Sequence, residues 1–383
     1  MKPGLAIVYL TVFVDLLGFG IVLPQLPYYA EAFGASAVWV GAILTSYSAA
    51  QFLGASFLGR LSDRIGRRPV LLASLAGSAI SLTLSGLATS LLGLVLARGL
   101  AGLFGGSIAA AQAYVADSTS REERARYMGL LGASIGLGFV FGPALGAGLA
   151  RWGFGTAAFV AAGLAAANLV FACFRLPESH GERQRHPAAS RLDFSHLSRA
   201  LRHPAIGSLL GATFLATLAF VAMEATFALL GEHRFGLDSA RLGFVFTYIG
   251  VLIVIVQGVL VGRLVPRLGE RVLAVAGCLA MALGLALMPL APSLPLALVA
   301  LGLLAVGQGF TAPTLSTLLS RAVDADEQGG TLGLGQSLAA AARVVGPLGA
   351  GWLFDRAFAA PYAVSATLML LAAALVRGLP APE

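Results

Sequence analysis

Charge is what this sequence has least of. Only 11% of its 383 residues are Asp, Glu, Lys or Arg, Lys2 is its single lysine, and 58% are hydrophobic, with a mean hydropathy of +0.86. So few polar groups cannot cover the surface of a water-soluble domain, which excludes that class and predicts an integral membrane protein. Cysteine is almost absent: Cys173 and Cys278 stand in apolar stretches of different halves, so neither a disulfide framework nor a cysteine metal site follows. The apolar runs lack the period-two alternation of an outer-membrane barrel. No nucleotide-binding loop, zinc-ligand spacing or nucleophile constellation is present, so no ATP-driven pump, no enzyme and no cofactor or metal are expected.

What is there is enough apolar sequence for about twelve spans of roughly 20 residues. The net charge of +7 and pI of about 9.9 could signal a nucleic-acid partner, so the placement of charge decides. Of the 25 Lys and Arg, 19 fall on one side of the expected membrane. Arg151, Arg234, Arg241 and Arg356 fall on the other, and Arg98 and Arg343 lie inside spans as the buried cations. That asymmetry is the positive-inside pattern, so the basic balance reports topology, with both termini cytoplasmic in a bacterial inner membrane, and not a polyanion partner. Ala30-Glu31-Ala32 mimics a signal-peptidase site, but the preceding run contains Asp15, Gly18, Gly20 and Pro24 and reads as the first span.

Apolar runs predict helices near 5–30, 37–60, 69–89, 91–117, 125–150 and 155–176, then near 204–231, 240–265, 270–291, 293–320, 329–353 and 359–378. This divides the chain into an N-terminal six-helix bundle (1–176), a polar cytoplasmic linker (177–203) and a C-terminal six-helix bundle (204–383). The linker could carry a short surface helix at 194–201. The halves repeat. A shift of 203 places Gly59, Leu61, Arg64, Gly66 and Arg68 on Gly262, Leu264, Arg267, Gly269 and Arg271. A shift of 204 places Gly105, Glu123, Gly129, Gly142 and Pro143 on Gly309, Glu327, Gly333, Gly346 and Pro347. Pro266 stands where the first copy has Asp63, so the halves are not expected to share the work equally.

The basic turn Gly59-Arg60-Leu61-Ser62-Asp63-Arg64-Ile65-Gly66-Arg67-Arg68-Pro69 separates two spans, and Asp63 is placed to cap or neutralise a helix N-terminus. Its glycine, aspartate, glycine and paired-arginine offsets resemble the signature between the second and third helices of major facilitator superfamily transporters. The resemblance implies an all-α membrane fold of twelve helices, two six-helix bundles in parallel repeat about a central site, and a gating role for Gly59, Asp63, Arg64, Gly66, Arg67 and Arg68.

Asp15 lies about halfway along the first span, where a carboxylate is costly and is by default functional, although a structural hydrogen-bonding role stays open. Desolvation disfavours the charged form of a carboxyl, which suits proton uptake and release. Arg98 is the counterpart cation and has to be paired, hydrated or bonded to carbonyls. The pattern Asp15-x-x-Gly18-x-Gly20-x-x-x-Pro24-x-x-Pro27, the run around Arg98, and the face Gly132, Gly136, Gly138, Gly142, Pro143, Gly146 and Gly148 resemble the first-, fourth- and fifth-helix motifs of twelve-helix drug:proton antiporters. That family implies proton coupling at Asp15 and Arg98 and conformational roles for Gly138, Gly142, Pro143 and Gly146. A generic packing face is the plainer reading of the last four.

Glu224, flanked by Phe220, Met223 and Phe227, is the second intramembrane acid. It suits an amphipathic cation or a second proton, or it pairs with Arg343. Gln51, Gln112, Gln257, Gln308 and Thr311 are further candidates for lining a substrate cavity, as are Asn168 and Gln336. Gln51 and Gln257 resemble cavity glutamines of tetracycline efflux pumps, whereas Ser81 stands near where those pumps carry an aspartate. The function expected is secondary active export of small amphipathic compounds or drugs in exchange for protons, by alternating access. The partners are a small-molecule substrate, protons and the lipid bilayer, with no nucleic acid, and the chain acts as a monomer. The alternatives are a metabolite or sugar exporter of the same fold, not necessarily proton-coupled, and a receptor-like sensor.

Overall fold

The structure is a computed structural model that describes residues 3–105, 107–179, 203–323 and 328–379. Its elements are α1 (Pro3–Val22), a 3₁₀ turn (Leu23–Gln25), α2 (Leu26–Glu31), α3 (Ala37–Ile65), α4 (Arg67–Leu87), α5 (Leu91–Phe104), α6 (Ser107–Ser118), α7 (Arg121–Leu149) and α8 (Gly153–Arg175). There follow α9 (Pro204–Phe235), α10 (Ser239–Ile255), a π turn (Val256–Leu260), α11 (Val261–Leu268), α12 (Glu270–Leu287), α13 (Leu294–Arg321), α14 (Gln328–Arg356) and α15 (Ala360–Arg377).

Among the described residues, eleven stretches are long and apolar enough to cross a membrane, and one of them, Arg126–Arg175, runs for 50 residues. A span needs about 20. That stretch is divided by a 3₁₀ turn at Ala150–Trp152 and by Gly153 at φ +84°, so it holds two helices and the expected twelve are accounted for. Long apolar side chains such as Leu92, Leu96 and Phe174 are exposed, as suits helices whose surroundings are hydrocarbon. Two expected helices are interrupted. The span read as 91–117 stops at Phe104 and restarts at Ser107, with the Gly105 N–H closing a tighter turn on the Gly102 carbonyl. The span read as 240–265 contains the π turn, which holds Gln257. The short helix read at 194–201 lies outside the described residues.

The chain forms two compact units. The first contains 1–35, 42–189 and 237–247, the second 36–41, 190–236 and 248–383. In the first, α7 lies on α1 with almost no side chain intervening: a methyl group on Gly142 would sit 2.7 Å from the Gly20 Cα, and one on Gly138 would strike Leu16. The buried Gln25 side chain donates to the Gly146 and Ile21 carbonyls and pins the same interface. The glycines of the seventh helix therefore form a packing face, and a close approach of this kind is what small residues allow in a bilayer.

At the basic turn, Gly66 adopts φ +104°, open only to glycine at low cost, and α4 starts at Arg67. The sequence reading had Asp63 cap or neutralise a helix N-terminus. The structure corrects the first alternative: the cap is the Glu178 carboxylate, which accepts from the Arg67 N–H (2.9 Å) and the Arg68 N–H (3.2 Å), where a helix N-terminus favours an anion. Asp63 instead pairs with Arg67 (2.6 Å), as does Asp117 (2.8 Å), and Arg68 donates to the Cys173 carbonyl (2.6 Å). Arg67 is buried; Arg64 is exposed.

The second unit repeats this turn with its charge reversed. Gly269 has φ +80°, Glu270 stands at the offset of Arg67 and Arg321 at that of Asp117, and the two form an ion pair at 2.8 Å. Arg271, at the offset of Arg68, donates to the Arg377 and Leu379 carbonyls at the end of α15.

Gly142→Val lowers stability by about 1–3 kcal/mol, the usual range for overpacking. Gly148→Ala, with nothing within 4 Å, leaves the thermal midpoint of the detergent-solubilised protein unchanged. Glu178→Ala removes a helix cap and costs about 1 kcal/mol, read as a lower midpoint in the same assay.

Candidate functional site

The first unit gathers the groups that can hold a proton or a cation. Asp15 is on the middle of α1, and two hydroxyls converge on its carboxylate: Ser78 of α4 donates to Oδ1 at 2.8 Å and Ser107 of α6 to Oδ2 at 2.5 Å. Ser81, one turn from Ser78, donates to the Ser78 carbonyl. No ion pair to Asp15 occurs among the described residues. A hydroxyl can donate to a carboxylate or turn to accept from a carboxylic acid, so the pair of serines serves either protonation state.

Arg98 of α5 is 1% exposed. The sequence suggested a partner of opposite charge, water or carbonyls. Instead its guanidinium lies over aromatic rings, 4.7 Å from the centroid of Tyr47 and 5.4 Å from that of Phe19. Its Nε and Nη2 have no hydrogen-bond partner among the described residues. Phe19 is in turn held edge-on by Phe139 of α7. Gln51 of α3 donates to the Tyr47 hydroxyl and to the Gly105 carbonyl, both at 3.2 Å, tying the ring to the break after α5. A desolvated cation on such rings gains about 2 kcal/mol, which offsets part of the cost of burying it. Gln112 is exposed on α6 and joins neither cluster.

The second unit has a cavity of about 150 Å³ framed by α9, α13 and α14, with Thr213, Thr217, Gln308, Thr311, Gln336 and Arg343 on its walls. Arg343, read from sequence as buried, is exposed at the midpoint of α14. A charge placed there needs a wet cavity, which explains the difference. Glu224 of α9 shares a helix face with Thr213 and Thr217, and Arg343 acts on it electrostatically. Phe220 is half-buried, Met223 and Phe227 are sealed in the core, and Gln257 is exposed on the π turn. Thus Gln308, Thr311 and Arg343 are brought together, while Met223, Phe227 and Gln257 are not part of that wall. Ser78, Ser107 and Tyr47 were missed as functional residues, because serine and tyrosine in apolar helices usually bond within their own helix or pack.

The Major Facilitator Superfamily model matches residues 8–347 and 235–383. The class C tetracycline resistance protein of Escherichia coli is 36% identical over 91% of this chain and 89% of its own length. The likeness to tetracycline pumps therefore spans the chain, where motifs had carried it only at scattered positions. Among solved structures, the human organic anion transporter MFSD10 (TETRAN) is 28% identical with a TM-score of 0.74, covering 98% of this chain and 99% of that one. A bacterial homologue of the human lysosomal transporter Spinster has a TM-score of 0.83 at 15% identity over 98% and 97%, a likeness of fold. This multi-pass membrane protein belongs to the major facilitator superfamily, a family of transporters, and is a relative of the tetracycline resistance proteins.

Proposed function

We propose that this transporter exports small amphipathic compounds in exchange for protons, working by alternating access in a bacterial inner membrane with both termini in the cytoplasm. The observation that carries the reading is the Asp15 carboxyl in mid-helix, held by two neutral hydroxyls and, among the described residues, by no cation. A carboxyl locked to an arginine gives up an ion pair each time it takes a proton. One held by serines does not, so it cycles at low cost. Arg98, stacked on rings and short of hydrogen-bond acceptors, is a fixed positive charge in the same unit that favours release of the proton once the carboxyl meets water. One proton moving down about 100 mV supplies roughly 2.3 kcal/mol, enough for a substrate gradient of a few tens-fold at about 1.4 kcal/mol per factor of ten.

Glu224 and the polar wall of the second unit take part in holding substrate. The tetracycline resistance relatives support drug efflux. Ser81, standing near where those pumps carry an aspartate, speaks against tetracycline itself as the substrate.

The test uses everted membrane vesicles and ethidium. Wild-type protein gives energy-dependent uptake that an uncoupler abolishes. Asp15→Asn lowers it at least about tenfold with the thermal midpoint held, and Ser107→Ala lowers it by a smaller factor. Detergent-solubilised wild-type protein releases protons on addition of ethidium and Asp15→Asn does not. Uncoupler-sensitive uptake surviving in Asp15→Asn sinks the exchange reading.

A further inference from the structure

The wall of the second-unit cavity carries one full charge, the Arg343 guanidinium, and no carboxylate. Its other strong donors are the amides of Gln308 and Gln336. The hydroxyls of Thr213 and Thr217 are spent on the Leu209 and Thr213 carbonyls, so toward the cavity they offer lone pairs only. Leu315, Leu319 and Leu332 complete the lining with apolar surface. At about 150 Å³ the space holds roughly five waters and is half the size of the smallest drug-sized pockets, roughly 300 Å³. It therefore fits one end of a ligand.

Resting on the export reading, we propose that this cavity is a subsite for the acidic end of an amphipathic organic anion, a carboxylate or comparable oxyanion bound by Arg343. Arginine offers the planar, permanently charged fork that suits a carboxylate, and leucines on the same wall receive the ring or chain that bears it. The transporter thus accepts acids as well as the amphipathic cations for which Glu224 is suited. Glu224, on the cavity-facing side of α9 and acting on Arg343 through space, competes with a bound anion for the same positive charge.

Two dyes that share a ring system separate this from general hydrophobic binding. Fluorescein is an anion whose pendant ring carries a carboxylate; rhodamine 6G is an esterified cation with no acid. Binding of each to the purified full-length protein in detergent is followed by fluorescence anisotropy. Arg343→Gln weakens fluorescein at least about tenfold, the size expected for a lost charge-assisted hydrogen bond, and changes rhodamine 6G by less than about threefold. Arg343→Lys, which keeps the charge and loses the fork, restores only part of the fluorescein affinity. Glu224→Gln tightens fluorescein while weakening rhodamine 6G.

Thermal midpoints matching wild type confirm that each variant is folded. No fluorescein binding to the wild type, unchanged binding in Arg343→Gln, or an equal fall for both dyes overturns the proposal. The export reading fails separately: Asp15-dependent ethidium flux is lost or kept whatever the dyes show.

Discussion

A charge in hydrocarbon needs a partner, and the first unit meets that requirement without opposite charges. Asp15 rests on two hydroxyls and Arg98 on two aromatic faces. Pairing them would have been the obvious solution for stability, since each neutralises the other. It would also have frozen both, because separating a buried ion pair costs several kcal/mol. Neutral partners leave each charge held in place but able to change its surroundings, and much of the first unit's design follows from this. Ser78 of α4 and Ser107 of α6 hold the carboxyl, and the Gln51 bridge fixes Tyr47 beneath the guanidinium. The glycine face of α7 brings that helix within backbone distance of the helix that carries Asp15. Where charge sits at the ends of helices, by contrast, the structure uses ion pairs freely: Arg67 is held by both Asp63 and Asp117, and Glu178 caps the helix that Arg67 begins.

The internal repeat shows which parts of that design are architectural. Gly66 and Gly269 both take positive φ at the start of a helix, and Arg68 and Arg271 both close the carbonyl end of the last helix in their half. These features survive in both copies because backbone geometry demands them. The ion pair survives too, but with the acid and base exchanged, Arg67 with Asp117 becoming Glu270 with Arg321. A salt bridge joining two helix ends works in either polarity, so the exchange preserves the joint while changing the sign of the helix N-terminus it adorns. Glu270 complements the positive end of α12 directly, whereas Arg67 opposes the positive end of α4 and needs Glu178 to compensate.

Most of the fold could be read from the chain because length and apolarity in a membrane protein are imposed by the bilayer. Twelve runs, the polar breaks and the repeat all follow from that single constraint. Interruptions within a span were not legible: Gly105 has the same composition around it as a dozen uninterrupted glycines, and the turn there depends on what α3 and α6 present to it. Asp15, Arg98 and Glu224 stood out because charge is rare here, and Arg343 stood out for the same reason but was given the wrong surroundings. Their partners did not stand out. Ser78 and Ser107 are two serines among many, 29 residues apart in sequence and on different helices, and only coordinates could bring them to one carboxyl. Glu178 was hidden differently, lying just past the end of α8 in a stretch that read as the start of a linker.

The two units differ in the sign of the charge each places at mid-helix with freedom to act. In the first, the carboxyl of Asp15 is held by neutral groups that tolerate either protonation state. In the second, Arg343 is exposed to a small polar cavity, with Glu224 close enough to feel its field. An exchanger requires proton and substrate to disfavour each other, and a substrate that simply replaced the proton on one acid would have to be a cation. On the proposed exchange, placing the proton on Asp15 of the first unit and the substrate against Arg343 of the second removes that restriction. Protonation would then belong to one set of helices and selection of substrate to another, so that residues of the second set could vary in charge and size without altering how the first handles its proton.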